Sequence, residues 1–441
     1  MFQSRILKIG VRLVLLSVIV FTLSFAVAAQ DEVPPINILI NDSPWLAGFE
    51  ALVDMYVAET GNQVNLDVTP FPGMLQKSVN AVQGETSPYD IINLNEQWYS
   101  QFYNGALVTP ITEIDPDFEL DPNIIEYGYS TRWDPEVAYS TADGAIYGLP
   151  INGNIQIFYY RQDLLEAAGL EVPQTWDEVA EVAAAIQEAN PGVNGFSIRS
   201  RPSNWEFMAY LESFGASVIE LDDATGQWVV GLAKPEAVDA LEMWINLGKT
   251  YGPANVADLG QAENLALMAS GRLAMVHMVS AAAPNFQNEE QSVVVGQVGA
   301  AVVPGGPAGR ATISGIWVMG IPANIEDARQ QAALTFLNWA LEKDNQIAYA
   351  RAGGIPVRQD VYAELAEDPE LGWWMGAVAE STPYIVGQPR IPEVPQLTEI
   401  IDRWTVQALL GEATPEEAMS AAAAEVYNVL NNAGYDVQPI E

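Results

Sequence analysis

The feature that most constrains this chain is a repeated alternation of short apolar runs with amphipathic helical stretches. Residues 36–40 are apolar apart from Asn37, as a strand buried on both faces would be. After the turn at Asp42-Ser43-Pro44, Phe49, Leu52, Val53, Tyr56 and Val57 recur three and four residues apart. They predict a helix with one apolar face, stopped by Gly61. Val64, Leu66 and Val68 alternate as a strand, and 90–94 predicts another, followed by a helix ending near Gly105. Strand, helix, strand, helix, strand implies a parallel sheet covered by helices.

The pattern restarts at Ile146. Ile155, Ile157 and Tyr159 alternate as a strand, and Thr175 with Glu178 forms a capping box ahead of Val179, Val182, Ala183 and Ile186. Further helices are predicted over 234–250, 262–270 and 327–341, and from Pro395 onward, with Pro415-Glu416-Glu417 opening one of them. Strands are predicted over 273–278, 298–303 and 316–321. The fold class is α/β. A chain of 441 residues has the length of two or three domains, yet it shows no repeat and no low-complexity linker. That combination predicts lobes assembled from several interleaved segments.

The N-terminus reads as an export signal. Arg5, Lys8 and Arg12 give a positive start, 13–25 is almost wholly apolar, and Ala26-Val27-Ala28-Ala29-Gln30 supplies small residues for cleavage after Ala28 or Ala29. The competing reading is a membrane anchor, but the apolar run, about 17 residues, is at the short limit for a span of roughly 20. A signal peptide over 1–29 places the protein outside the cytoplasm, in the periplasm or at the cell exterior. A lipid anchor would need a cysteine, and the chain has none.

Charge and composition exclude several functions. The chain has 18 Lys+Arg against 57 Asp+Glu, and loss of the signal's three bases takes the net charge from −39 to −42. Such a surface repels phosphates, which argues against nucleic acid and anionic lipid as partners. Without cysteine there is no disulfide framework, thiolate nucleophile or cysteine-based metal site. The one histidine, His277, sits in the apolar run Ala274-Met275-Val276-His277-Met278 and reads as a satisfied core residue. Asp115, Asp117, Glu119 and Asp121 alternate in a manner that hints at calcium. Leu120 occupies the position where a calcium loop needs glycine, so a solvated acidic loop is the simpler reading. No phosphate loop, nucleophile elbow or dinucleotide fingerprint is present. No metal or other cofactor is expected.

What remains is aromatic residues at the ends of strands: Trp45, Trp98, Trp205 and Trp317. Open α/β sheets bind ligands beyond the carboxyl ends of their strands, and indole faces offer flat apolar platforms with one polar handle. A place in the core is the alternative for each of them.

One block is specific. Asp143-Gly144-Ala145-Ile146-Tyr147-Gly148-Leu149-Pro150 is followed by Phe158-Tyr159-Tyr160-Arg161-Gln162-Asp163-Leu164-Leu165, by Ala168-Gly169-Leu170, and by Pro173-Gln174-Thr175-Trp176-Asp177-Glu178. Phe336-Leu337-Asn338-Trp339, Gly353-Gly354-Ile355-Pro356-Val357-Arg358 and Gly411-Glu412-Ala413-Thr414-Pro415-Glu416-Glu417-Ala418 extend it. In this order the motifs resemble the extracellular solute-binding proteins of ABC importers, in the large carbohydrate-binding, maltose-binding-like family, over roughly residues 36–435.

The resemblance implies a two-lobed binding-protein fold with the ligand cleft between lobes and three crossings, near 150–154, 313–317 and 362–368. The N-lobe would be 31–152 with 317–362, and the C-lobe 153–313 with 366–441. It implies ligand contacts at Trp45, at Asn95, Glu96 and Trp98, at Asn154, Trp205 and Trp317, and at Arg390 in Gln388-Pro389-Arg390-Ile391-Pro392. The family often has an aromatic after the 273–278 strand, where this chain has Ser280-Ala281-Ala282-Ala283. The function implied is capture of a sugar by hinge closure and delivery to permease subunits, by a monomeric protein that is not an enzyme. A secreted glycoside hydrolase with an unrecognised carboxylate pair is the alternative, and an acidic surface-layer protein is a third reading.

Overall fold

The computed structural model describes residues 34–222 and 224–440, and the proposed signal peptide lies outside them. The protein has two α/β lobes, each built on its own sheet.

The first sheet has five strands in the order Val64–Thr69, Ile36–Asn41, Ile91–Asn95, Trp317–Gly320, Gly148–Asn152. The first three run parallel, as the βαβαβ pattern predicts. Trp317–Gly320 then inserts antiparallel to both of its neighbours, so the sheet is mixed rather than parallel. The reason is the chain's path: it enters this lobe from the other one, at the same edge where Gly148–Asn152 leaves, and so must run the opposite way.

The second sheet is ordered Val298–Ala301, Gln156–Arg161, Leu273–Val279, Asn194–Ser197. Leu273–Val279 is buried at every position, and helices such as Trp176–Ala189 and Pro235–Tyr251 cover the sheet. Of the capping box expected at Thr175, one half is present: Thr175 Oγ1 accepts from Glu178 N (3.2 Å), but the Glu178 carboxylate accepts from Gln174 N (2.6 Å) instead of Thr175 N; Thr414 with Glu417 forms a full reciprocal box. Gly61 closes the Leu46–Thr60 helix at φ 77°, a left-handed conformation that glycine adopts without steric cost.

The segments that pass between the sheets are hydrogen-bonded to one another. Gly315 N donates to Asn154 O (2.8 Å), Ser314 N to Val386 O (3.0 Å), and Gly153 N to Ile355 O (3.1 Å). A Cβ on Gly153 would stand 2.2 Å from both Pro356 O and the Tyr127 hydroxyl, so the close approach there admits only glycine.

Candidate functional site

Three strands of the first sheet end in asparagine at one edge. Ile36–Asn41, Ile91–Asn95 and Gly148–Asn152 all point the same way, and Trp317 pairs with Asn95 on one side and Asn152 on the other. Asparagine is depleted in strands. Here it stands where the apolar run must end and the backbone turns away, which leaves an amide at the sheet's carboxyl edge.

Aromatic rings form the floor beside this row. Trp45 stands just before the Leu46–Thr60 helix, and Phe71 opens the Phe71–Gln83 helix after Pro70. The Trp45 and Trp317 ring centroids are 6.4 Å apart, Phe71 lies 6.0 Å from Trp317, and Trp98 packs at 5.9 Å on Trp317 and 5.1 Å on Phe71. Trp45, Trp98 and Trp317 are buried, whereas Phe71 is 44% exposed.

The facing wall comes from the second lobe. Trp205 lies at the start of the Asn204–Phe214 helix, whose first turn is held by the Asp402 carboxylate: Oδ1 accepts from Ser203 Oγ and Asn204 N, and Oδ2 from Asn204 Nδ2. Trp205 Nε1 donates to Ser314 O (2.7 Å), and a Cβ on Gly315 would meet the indole ring at 2.8 Å, so the ring is pressed against the second crossing. Arg199, two residues past the Asn194–Ser197 strand, places its guanidinium 5.7 Å from the centre of that ring. Asn154 is fixed by Oδ1, which accepts from Ser280 Oγ (3.0 Å) and Ala281 N (3.2 Å). Where the family often has an aromatic, Ala281 contributes a methyl to the wall.

Between the walls lies a cavity of about 330 Å³, toward the small end of the range for small-molecule sites. Its lining is aromatic and amide, with Asn41, Asn95, Gln97, Asn152, Asn154, Gln261 and Gln388 around Trp45, Phe71, Trp205 and Trp317. Asn41 Oδ1, both side-chain polar atoms of Asn152, Arg199 Nε and Gln388 Oε1 are buried without a hydrogen-bond partner. Buried polar groups are ordinarily paired, because each orphan costs about 1–3 kcal/mol. Partnerless atoms also occur elsewhere in the fold, as at Ser78, Trp133 and Tyr349; those on Asn41, Asn152, Arg199 and Gln388 belong to residues that line one cavity.

The residues expected from sequence fall into two groups. Trp45, Asn95, Asn154, Trp205 and Trp317 line the cavity; Glu96, Trp98 and Arg390 do not. Glu96 is turned into the lobe junction, where Oε1 accepts from Ser314 Oγ (2.5 Å) and Gln388 N (3.0 Å). Burial pushes its carboxyl up to about 7 against these bonds and the Arg390 charge. Trp98 lies behind Trp317 and Phe71 as a buttress. Arg390 stacks 5.0 Å over the Tyr139 ring and lines a separate cavity with Tyr129, Glu212 and Glu220. His277 is a core residue but not a satisfied one: neither ring nitrogen has a partner, and burial drives it down to about 3. Among the described residues no cluster suited to a metal ion is found, and Asp121 of the acidic loop pairs with Arg358 (2.8 Å).

Sequence reasoning missed Asn41, Phe71, Gln97, Asn152, Arg199, Gln261 and Gln388. A signal for two of them was present: INILIN, IINLN and GLPIN each close an apolar run with asparagine. Nothing local marks Gln261 or Gln388.

Residues 51–372 match the family described as bacterial extracellular solute-binding protein. The chain is 27% identical over 386 residues to the mannitol-binding protein of Pseudomonas aeruginosa, covering 82% of this chain and 84% of that one. It is 23% identical over 346 residues to the erythritol/L-threitol-binding protein of Mycolicibacterium smegmatis, covering 74% and 71%. Among solved structures, maltose-bound T. maritima MalE3 superposes with a TM-score of 0.76 at 25% identity, covering 90% of this chain and all of that one.

Proposed function

The chain belongs to the bacterial extracellular solute-binding protein family, and on that footing we propose that it captures a small polyhydroxylated solute, a sugar or polyol, and hands it to the permease of an ABC importer. The observation that carries this reading is an aromatic-floored cavity lined by seven amide side chains, three of which, Asn41, Asn152 and Gln388, hold partnerless atoms. Amides pair with hydroxyls as both donor and acceptor, and indole or phenyl faces pack against C–H surfaces. The relatives that bind mannitol and erythritol or L-threitol support a ligand of this class. The cavity wall carries no Asp or Glu, so it offers no carboxylate pair of the kind glycoside hydrolysis requires.

In this reading the N-lobe is 31–152 with 317–362 and the C-lobe 153–313 with 366–441. The ligand is held by Trp45, Asn95 and Trp317 from the first lobe and by Asn154 and Trp205 from the crossing and the second. Asn41, Phe71 and Asn152 join the first group. Contacts to both walls favour the closed arrangement, which is how binding drives a hinge. The protein acts as a monomer outside the cytoplasm after loss of its signal peptide. Among the described residues no helix is long and apolar enough to cross a membrane.

Isothermal calorimetry of the mature chain against D-mannitol, erythritol and maltose, with melting measured alongside, tests this. A ligand present at about 100 times its Kd should add roughly 2.7 kcal/mol of stability. Failure of the whole panel, extended to other alditols and to mono- and disaccharides, would sink the reading.

A further inference from the structure

Resting on the reading of this cavity as a sugar or polyol site, we propose that the ligand is an acidic member of that class, an aldonate or uronate whose carboxylate sits on Arg199. The whole chain carries about three acids for each base. The cavity wall inverts that ratio: it holds no acid and a single cation, Arg199.

That cation is unspent. Arg199 takes part in no ion pair among the described residues. Its guanidinium makes one long bond, from Nη1 to Gln261 Oε1 (3.3 Å), and Nε is buried with no partner. The acids that face it are engaged elsewhere. Glu206 accepts from Arg199's own backbone N (2.9 Å) and from Trp244 Nε1 (3.2 Å). Burial pushes the Glu206 carboxyl up to about 8, against these two bonds and the Arg199 charge. Asp402 is committed to Ser203 and Asn204. Burial also holds the Arg199 guanidinium below its ordinary value, the direction expected of a charge that its surroundings under-compensate.

Guanidinium matches a planar carboxylate bidentately, and a buried charge lacking a partner is costly until one arrives. One cation balances one negative charge, which suits a carboxylate better than a phosphate dianion. The guanidinium carbon lies 5.7 Å from the centre of the Trp205 ring, and both residues line the cavity. The amides Asn41, Asn95 and Asn152 on the opposite wall are left for the hydroxyls of the same molecule. A neutral alditol would fill the amides and leave the charge buried.

The test compares matched pairs by calorimetry on the mature chain: D-mannitol with D-mannonate, and D-glucose with D-glucuronate. The acid of at least one pair should bind about tenfold tighter or better, and added salt should narrow the gap. Arg199→Gln should cost the acid far more than its neutral partner, erasing the preference, while Arg199→Lys keeps part of it. Equal or tighter binding of the neutral members overturns the inference and leaves the proposed function standing. A preference for the acid that survives Arg199→Gln overturns the assignment to Arg199. Binding of neither member of any pair, nor of any other sugar or polyol, overturns the proposed function itself.

Discussion

The two walls of the cavity are built by opposite means. The first-lobe wall is the edge of a sheet: strand-end asparagines held in register, with Trp45, Trp98 and Trp317 packed on one another behind Phe71. The second-lobe wall is made of loop and helix-start residues, with one indole anchored to the crossing, one unpaired cation and a methyl where bulk would be expected. The first wall is shaped before any ligand arrives, because Trp45, Trp98 and Trp317 pack on one another as a cluster; Trp205, equally buried, makes its contact with the crossing instead. The second owes its shape to a few long-range bonds and carries the one charge. On the proposed function, the pre-formed plate would supply affinity for a general class of solute, and the sparser wall would tell one member of the class from another.

The sharpest way to break this contrast is to truncate one indole from each wall. Trp317→Ala removes a residue at the centre of the aromatic cluster and should lower the stability of the ligand-free protein by about 3–5 kcal/mol, with binding weakened as well. Trp205→Ala should act mainly on binding, costing about 2–4 kcal/mol, or roughly 30- to 1,000-fold in Kd, with a smaller change in melting. Equal melting losses for the two variants would erase the distinction between the walls. A subtler probe is Asn152→Ala. Both polar atoms of this side chain lack partners in the protein, so their removal should leave ligand-free stability near that of the parent while affinity falls by about 1–3 kcal/mol. A large melting loss with normal affinity would show that Asn152 serves the fold instead.

Titration sharpens the picture of the second lobe. Folded Glu206 gives up its proton only near pH 8, against 4.5 for an unperturbed glutamate, because burial penalises the carboxylate. Between these values the folded chain holds the extra proton. The stability tied to this group is complete below about pH 4.5 and declines as pH rises through 8, by up to about 1.4 kcal/mol per unit. Glu206→Gln removes that decline, so the variant should gain on the parent steadily from pH 5 to 8 in denaturant titrations; a constant difference would mean that Glu206 ionises freely. His277 works in the other window. With a folded value near 3 against 6.5, it costs stability as pH falls below 6.5. His277→Gln should flatten that acid limb and leave ligand affinity at pH 7 unchanged, the smallest effect of the set. A change in affinity would bring the residue into the site.

The fold was legible because its elements are strongly patterned: alternation at Val64, Leu66 and Val68 and three-and-four spacing from Phe49 to Val57 depend only on local burial. The antiparallel insertion of Trp317–Gly320 was not legible, since strand direction depends on where the chain re-enters a lobe. For the site, motif matching named loops, five of whose residues line the cavity, but could not say which way a side chain turns within them. Glu96 and Asn95 are neighbours, yet one faces the junction and the other the cavity. Arg390 lies in a matching loop but finds the Tyr139 ring first. Arg199 was missed because a lone arginine gives no pattern, and Asn152 because an apolar run closed by asparagine was read only as a strand end; the significance of both lies in what they fail to bond.

The insertion of Trp317–Gly320 between Ile91–Asn95 and Gly148–Asn152 also dictates an order of assembly. The four other strands of that sheet emerge early during synthesis, but the strand that joins them is made only after every strand of the second sheet has appeared. Until it arrives, the first sheet is two fragments with an unfilled middle and two unpaired inner edges. Long-range pairing of this kind is slow, because loop closure must be completed before the contact is gained. The second lobe's sheet, contained within 156–301, has no such wait. Were the chain exported as proposed, such a delay would suit it: the sheet that carries the aromatic plate cannot be completed until residues 317–320 exist, which leaves time for threading across a membrane.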